Sequence, residues 1–332
     1  MDKGVIGIRQ FTILVILLTL GDSILILPSS VAGASHQDAW ISGLLGTLFG
    51  LISVWIYAVL GGLYPGLSLI QYTPLIAGKW LGAVLNISFL IFFAITVVVV
   101  TWEIGDFFTS MVLPDTPIEV LELLFYGLLI FAVRLGIGTI IRASEIFFPW
   151  IMLIMFTLIV LLVPQMEISR IQPILEEGMR PVLLGSLPAT FLPCMEIFCL
   201  LILIPHVKES KKLRKNFFIG AIIGCIGLNV VVAQCILVLG QYFTVNMGAQ
   251  FIKLKTYKML TVPTAMICFC FIFIALPNTA SFKSATKVWG YYDISICMVI
   301  PLLLIGLYFI RKNKLKHTGS QSPGEGSSLP PG

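Results

Sequence analysis

Asp22 stands near the middle of an apolar run, in the stretch LGDSILILPSS at residues 20–30. A charge at the centre of a spanning helix costs at least about 2.5–3.5 kcal/mol, so an intramembrane carboxylate is a functional candidate. Its neighbours favour a break. Gly21 is a poor helix former, Ser23 can bond its own backbone, and Pro28 follows within two turns. The competing reading is a residue at a kink, paired with a nearby backbone donor. A second stretch, GSLPATFLPCME at 185–196, carries Pro188 and Pro193, and each removes a backbone donor and frees a carbonyl one turn earlier. Gly185, Ser186 and Thr190 add flexibility and polar groups, and Glu196 follows on an otherwise apolar stretch.

Glycine and proline interruptions in two corresponding segments point to a binding site near the membrane midplane. The exposed N–H groups of a half-helix suit a carboxylate. Freed carbonyls suit an ammonium or a cation, so the two together suit a zwitterion such as an amino acid. Asn86, Ser88, Thr96 and Thr101 on a third apolar segment, and Thr261 and Thr264 on an eighth, can line the same cavity. Hydrogen bonding between helices is their competing role.

Enzyme chemistry lacks the groups it needs. The only histidines are His36, His206 and His317, none within an apolar run and none near another, so neither zinc ligation nor His-based catalysis is served. Gly21-Asp22 and Tyr292-Asp293 resemble an intramembrane aspartyl protease pair only superficially, because Asp293 sits at a segment edge. The seven cysteines, Cys194, Cys199, Cys225, Cys235, Cys268, Cys270 and Cys297, all fall in apolar runs without CxxC spacing and read as small buried residues. No catalytic residue, metal or cofactor is expected.

The elements that must position these groups are membrane helices. Hydrophobic residues make up 58% of the chain against 11% charged, and mean hydropathy is +1.01. Soluble domains carry about 25% charged residues. The fold class expected is an all-α polytopic membrane bundle, a single domain over 1–315 with a disordered Gly/Ser/Pro-rich tail at 316–332. Apolar segments fall at 9–33, 39–63, 80–102, 118–137, 145–164, 182–205, 217–240, 260–280 and 290–310. The first is too long for the hydrophobic region of a signal peptide, despite Lys3, Arg9 and the small residues Ala32-Gly33-Ala34. Gly43, Gly46 and Gly50 form one small-residue face, and Gly220, Gly224 and Gly227 another, for close helix packing.

With the N-terminus in the cytoplasm, Lys3, Arg9, Lys79, Arg134, Arg142 and the cluster Lys208, Lys211, Lys212, Arg214 and Lys215 all lie inside. Only Arg170 and Arg180 lie outside through the 217–240 segment. Nine crossings would then leave Arg311, Lys312, Lys314 and Lys316 outside. Nine to ten spans are therefore expected: either one segment does not span, or the C-terminal part is one span short of a ten-helix bundle. Nothing resembles a nucleic-acid patch.

The stretches LGDSILILPSS at 20–30, DAWIS at 38–42, IAGKWLG at 76–82, RASEIFFPW at 142–150 and IQPILEEGMRPVLLGS at 171–186 resemble the B subunit of GerA-type spore germinant receptors, within the amino acid–polyamine–organocation superfamily. The resemblance runs over roughly the first 240 residues and fades beyond, where LPNTASFKSATKVWG at 276–290 is more polar than a family helix. It implies a LeuT-like fold with discontinuous helices 1 and 6, in the inner membrane of the bacterial spore, with the N-terminus on the core side. It implies A and C subunits as partners and a small germinant, an amino acid, as ligand. The ligand-binding set it implies is Gly21, Asp22, Ser23, Thr96, Thr190, Leu192, Pro193, Glu196 and Thr264. An acid at position 22, where many relatives have a small neutral residue, favours a cationic or amine-bearing ligand or a coupling proton. A transporter of the same superfamily and an assembly subunit with a degenerate pocket are the alternatives.

Overall fold

The computed structural model describes residues 5–64, 66–208, 210–253 and 295–319. The described chain is an all-helical bundle. Five of its helices are long and apolar enough to cross a membrane by length and composition.

The first apolar run is two half-helices, α1 (Ile8–Leu20) and α2 (Ser23–Ser35), each of 13 residues. At 1.5 Å per residue each reaches about 20 Å, so only together do they cross a hydrocarbon layer of about 30 Å. A short 3-10 turn, His36–Asp38, leads into α3 (Ala39–Gly61). The short α4 (Leu69–Ala77) lies at the far end of α3 and precedes the long α5 (Lys79–Phe107), which closes in a π turn over Phe108–Val112. Next come α6 (Ile118–Leu135) and α7 (Ile137–Leu162), with Glu119 in the first turn of α6 and Arg134 in its last, each complementing the helix dipole. Gly136, at φ 86, makes the reversal between them, a conformation that only glycine adopts cheaply.

Then follow α8 (Met179–Met195) and α9 (Ser210–Lys253), which bends at Gly240 (φ 75). The last described helix, α10 (Ile300–Gly319), runs past the domain boundary set from composition at residue 315. The segment expected at 260–280, with Thr261, Thr264, Cys268 and Cys270, lies outside the described residues, as does the tail beyond Gly319.

The glycine faces decide the packing. In α3, Gly43 meets Asn229 of α9, Gly46 meets Ala189 of α8, and Gly50 meets Cys194 of α8. In α9, Gly220 lies against Val15 of α1, Gly224 against Thr19, and Gly227 against Leu20 and Met155. Gly185 of α8 admits the hydroxyls of Ser35 and Ser42. The two stripes thus clamp α1 and α2 against α8 and α9, with α3 on the other side. By contrast α7 turns Phe147, Trp150, Ile154, Phe156 and Leu161 outward, as a lipid-facing helix must.

The C-terminal helix returns to the α4 end of the bundle. Arg311 donates from Nη1 to the carbonyls of Leu75 (2.6 Å) and Ile76 (3.2 Å) in α4. Tyr308 packs edge-on to Tyr64 at 5.5 Å. Both partners lie at the α3–α5 connection, beside Lys79. Ile6 is at that end too, bridged to the 206–208 segment through Ile6 N to His206 O (2.7 Å) and Lys208 N to Ile6 O (3.0 Å). Among the described residues, Ile6, Lys79 and Arg311 thus lie at one end of the bundle.

At the opposite end the connection between α7 and α8 is tied down twice. Both carboxylate oxygens of Asp38 accept the Leu175 N–H at 3.1 Å, and Gln37 Nε2 donates to Pro173 O at 3.1 Å. Glu167 N donates to Leu237 O (3.1 Å) and Arg170 Nη1 to Val238 O, carbonyls just ahead of the Gly240 bend. Asp38→Ala removes the charged acceptor, an interaction of roughly 1.5–3 kcal/mol. Limited trypsin digestion is expected to cut several-fold faster at Arg170, with the bundle otherwise intact.

Candidate functional site

The chain leaves α-helical hydrogen bonding at Gly21 and Asp22, the point where charge, glycine and serine favour a break. Gly21 N–H donates to Leu17 O (2.8 Å) and closes α1; Leu25 N–H donates to Asp22 O (2.9 Å) and opens α2. The Asp22 carboxyl, set in this gap, lies beside the carboxyl of Glu103 on α5. Two of their oxygens, Asp22 Oδ1 and Glu103 Oε2, are buried with no hydrogen-bond partner, and so are Ser23 Oγ and Trp102 Nε1.

A third acid reaches the gap from α8. This helix stays α-helical through Pro188 and Pro193 and tightens into a 3-10 run, Glu196–Ile202, at Glu196. The change of helix type therefore falls just past the Thr190–Pro193 stretch expected for the break. Hydroxyls hold that stretch in helix: Ser186 Oγ donates to Leu183 O (2.8 Å), and Thr190 Oγ1 to Ser186 O (2.8 Å) and across to Gly46 O of α3 (3.1 Å). A 3-10 run of 7 residues exceeds the usual three or four and marks a hinge or strained segment. Glu196 heads it, with Oε2 3.7 Å from where a Cβ on Gly21 would stand. Phe198, two residues on, is gripped by Tyr57 of α3 and Phe89 of α5, both at 5.4 Å between ring centroids.

Gly21 and Glu196 thus come together, with Ser23, two residues on from Gly21, buried at 1% exposure. The remaining residues expected at the site are placed otherwise. Thr96 donates to Phe92 O of its own helix (3.0 Å), and Thr190 is engaged between α3 and α8. Pro193 is buried within α8, and Leu192 packs on the cluster of Leu20, Leu27 and Val31. Thr264 lies outside the described residues. Asn86 Nδ2 donates to Ile70 O (2.9 Å) and Thr101 to Val97 O (2.7 Å), both bonds of scaffold type. Glu103 is the addition. An apolar window ends at the first charge, so the third segment closes at residue 102, whereas the helix continues to Phe107 and buries the acid.

The electrostatics of the gap are one-sided. No lysine or arginine occurs between Phe11 and Gly78, between Trp80 and Val133, or between Pro181 and Val207, the stretches that build it. Among the described residues no group of three His, Cys, Asp or Glu side chains is arranged to hold a metal ion. Cys194 and Cys225 approach to 4.0 Å between sulfurs, both buried, on α8 and α9.

The stretches that carried the family resemblance act as joints around this gap. Glu145 of RASE accepts from Gln10 Nε2 (2.8 Å) at the start of α1, and Gln10 Oε1 in turn caps the Gly7 N–H (3.0 Å). Asp38 of DAWIS holds the loop that contains IQPILEEG.

Comparison with known proteins agrees with that resemblance and extends it. The sequence profile of the family described as spore germination protein matches residues 5–267. Spore germination protein KB of Bacillus subtilis (strain 168) is 28% identical over 316 residues, covering 94% of this chain and 81% of that protein. Spore germination protein YndE of the same organism is 33% identical over 217 residues, 64% of this chain and 58% of that protein. Spore germination protein B2, also from that organism, is 23% identical over 211 residues, 64% and 57% respectively. No solved structure matches the chain.

Proposed function

From its place in the spore germination protein family, to which this chain belongs, we propose that the protein is the membrane subunit of a nutrient-germinant receptor. A small nutrient, an amino acid, binds at the gap between α1 and α2 against the head of the 3-10 run. It works with A- and C-type partner subunits in the inner membrane of the spore, its N-terminus on the core side. The single observation that carries this reading is the meeting of two interrupted helices, with Glu196 Oε2 3.7 Å from where a Cβ on Gly21 would stand. Occupancy favours one arrangement of the bundle to the extent that the nutrient binds that arrangement more tightly.

The test is germination of spores carrying Asp22→Ala. Nutrient response is expected to fall at least tenfold at unchanged protein abundance; an unchanged response at normal abundance sinks the site.

The same interruptions favour a second reading, a transporter that moves its substrate by alternating access. Uptake of radiolabelled amino acid into proteoliposomes separates the two. Robust uptake without partner subunits supports the transporter, and binding without uptake supports the receptor.

A further inference from the structure

Resting on the reading of the gap as the nutrient site, we propose that the 3-10 run Glu196–Ile202 carries occupancy of the gap to the end of the bundle that holds Ile6. The run has two forms. In the 3-10 form the bridge between Ile6 and the 206–208 segment is closed; rewinding to α-helix opens it. The sequence of the run, EIFCLLI, contains no glycine or proline, and Glu and Leu are good α-formers. Met195 and Glu196 at its head and Leu203 at its foot already have right-handed helical φ/ψ, −74/−36, −62/−31 and −86/−14. Nothing local opposes an α-helix there, so the tighter winding is imposed by packing. Phe198 is seated among the rings of Tyr57 and Phe89, both at 5.4 Å, Phe93 at 6.1 Å and Phe92 at 6.5 Å. Gly61, at the end of α3, leaves room for Leu201 and Ile204. A 3-10 helix has the poorer hydrogen-bond geometry, so loosening this grip favours the α form.

Helix geometry fixes what then moves. At 2.0 Å per residue against 1.5 Å, a run of 7 residues shortens by about 3.5 Å on rewinding. It also unwinds by about 20° per residue, which turns Phe198 out of its seat. One end of the run is at the gap, where Glu196 Oε2 faces Gly21. The other leads through the Ile204–His206 turn to the bridge, where Ile6 N–H donates to His206 O (2.7 Å) and Lys208 N–H to Ile6 O (3.0 Å). A pull of roughly 1 Å takes bonds of this length out of range. A ligand that engages Glu196 acts on the first residue of the run, and it shifts the two forms only by its different affinity for them. A rigid strut would instead move the bridge with α8 and leave the length of the run unchanged.

The experiment uses the full chain in lipid nanodiscs, with nitroxide labels on p-acetylphenylalanine so that the native cysteines stay untouched. One label pair, at Leu183 and Lys208, spans the run; the other, at Val5 and Lys208, spans the bridge. All three positions are exposed. Double electron–electron resonance reads both distances. Phe198→Ala is expected to shorten the first by up to about 3.5 Å and to lengthen the second. Phe198→Leu, which keeps apolar volume and loses the ring, is expected to do the same and serves where the alanine variant fails to fold. Phe125→Ala, which removes a ring packed on Phe108 instead, is expected to change neither. The proposal is overturned if both distances are unchanged in Phe198→Leu, if either changes without the other, or if Phe125→Ala gives the same paired change. Failure of the receptor reading shows elsewhere: spores deleted for this chain would germinate normally on every nutrient, while the paired distance changes still stood.

Discussion

Gly46→Val is expected to leave little of the protein in the membrane. A Cβ at position 46 would stand 2.8 Å from both the Ala189 carbonyl carbon and the Ser186 carbonyl oxygen, and against the Ala189 methyl. Two of those atoms are backbone of α8, so no rotamer change relieves the clash; the helices must separate. Overpacking costs typically about 1–3 kcal/mol where side chains can yield, and here they cannot. Separation also breaks the bond from Thr190 Oγ1 to Gly46 O. Immunoblotting of membranes and unfolding of the solubilised chain provide the measurement. Wild-type abundance and Tm would contradict the close α3–α8 contact. Gly127→Val serves as control, since its Cβ would meet nothing within 4 Å.

Gly21→Val is expected to have the opposite signature, normal abundance with nutrient response lost. Its added atoms point into the gap, where a Cβ already lies 3.7 Å from Glu196 Oε2 and 3.1 Å from Leu18 O. The position is accessible and its neighbours are helix ends, so the scaffold tolerates the added volume better than at Gly46. A side chain there occupies space beside Glu196 that the proposed ligand needs. Germination on nutrient is expected to drop a hundredfold or more, while germination by a receptor-independent trigger is unaffected. Retained nutrient response at wild-type abundance would place the site elsewhere. The two glycines therefore separate packing from binding: one is small so that two helices can touch, the other so that they do not fill a gap.

Several features of this molecule are local, and single residues reveal them. An Asp within an apolar run, flanked by Gly and Ser, announces the break at residue 22, because propensity and desolvation act on the chain where it stands. Glycines at helical spacing announce the packing faces, although not their partners. The gap's third wall was not legible. Glu103 reads as the polar end of a segment, since an apolar window cannot distinguish a charge at a boundary from a charge inside a longer helix. The prolines point to residues 188–193, whereas the change of helix type falls at Glu196.

By itself the sequence determined the class of the protein, an apolar helical bundle with one interrupted helix and an acid at the interruption. Those properties follow from transfer free energies and backbone preferences that each segment carries alone. Only the tertiary structure decided that Glu103 lies beside Asp22 and Glu196 beside Gly21, that Arg311 returns to the end holding Ile6 and Lys79, and that Thr190 bonds across to Gly46 of α3. These outcomes depend on which faces meet across the bundle. Meeting is set by glycine stripes pressed against specific partners, a relation between distant segments that no one segment contains.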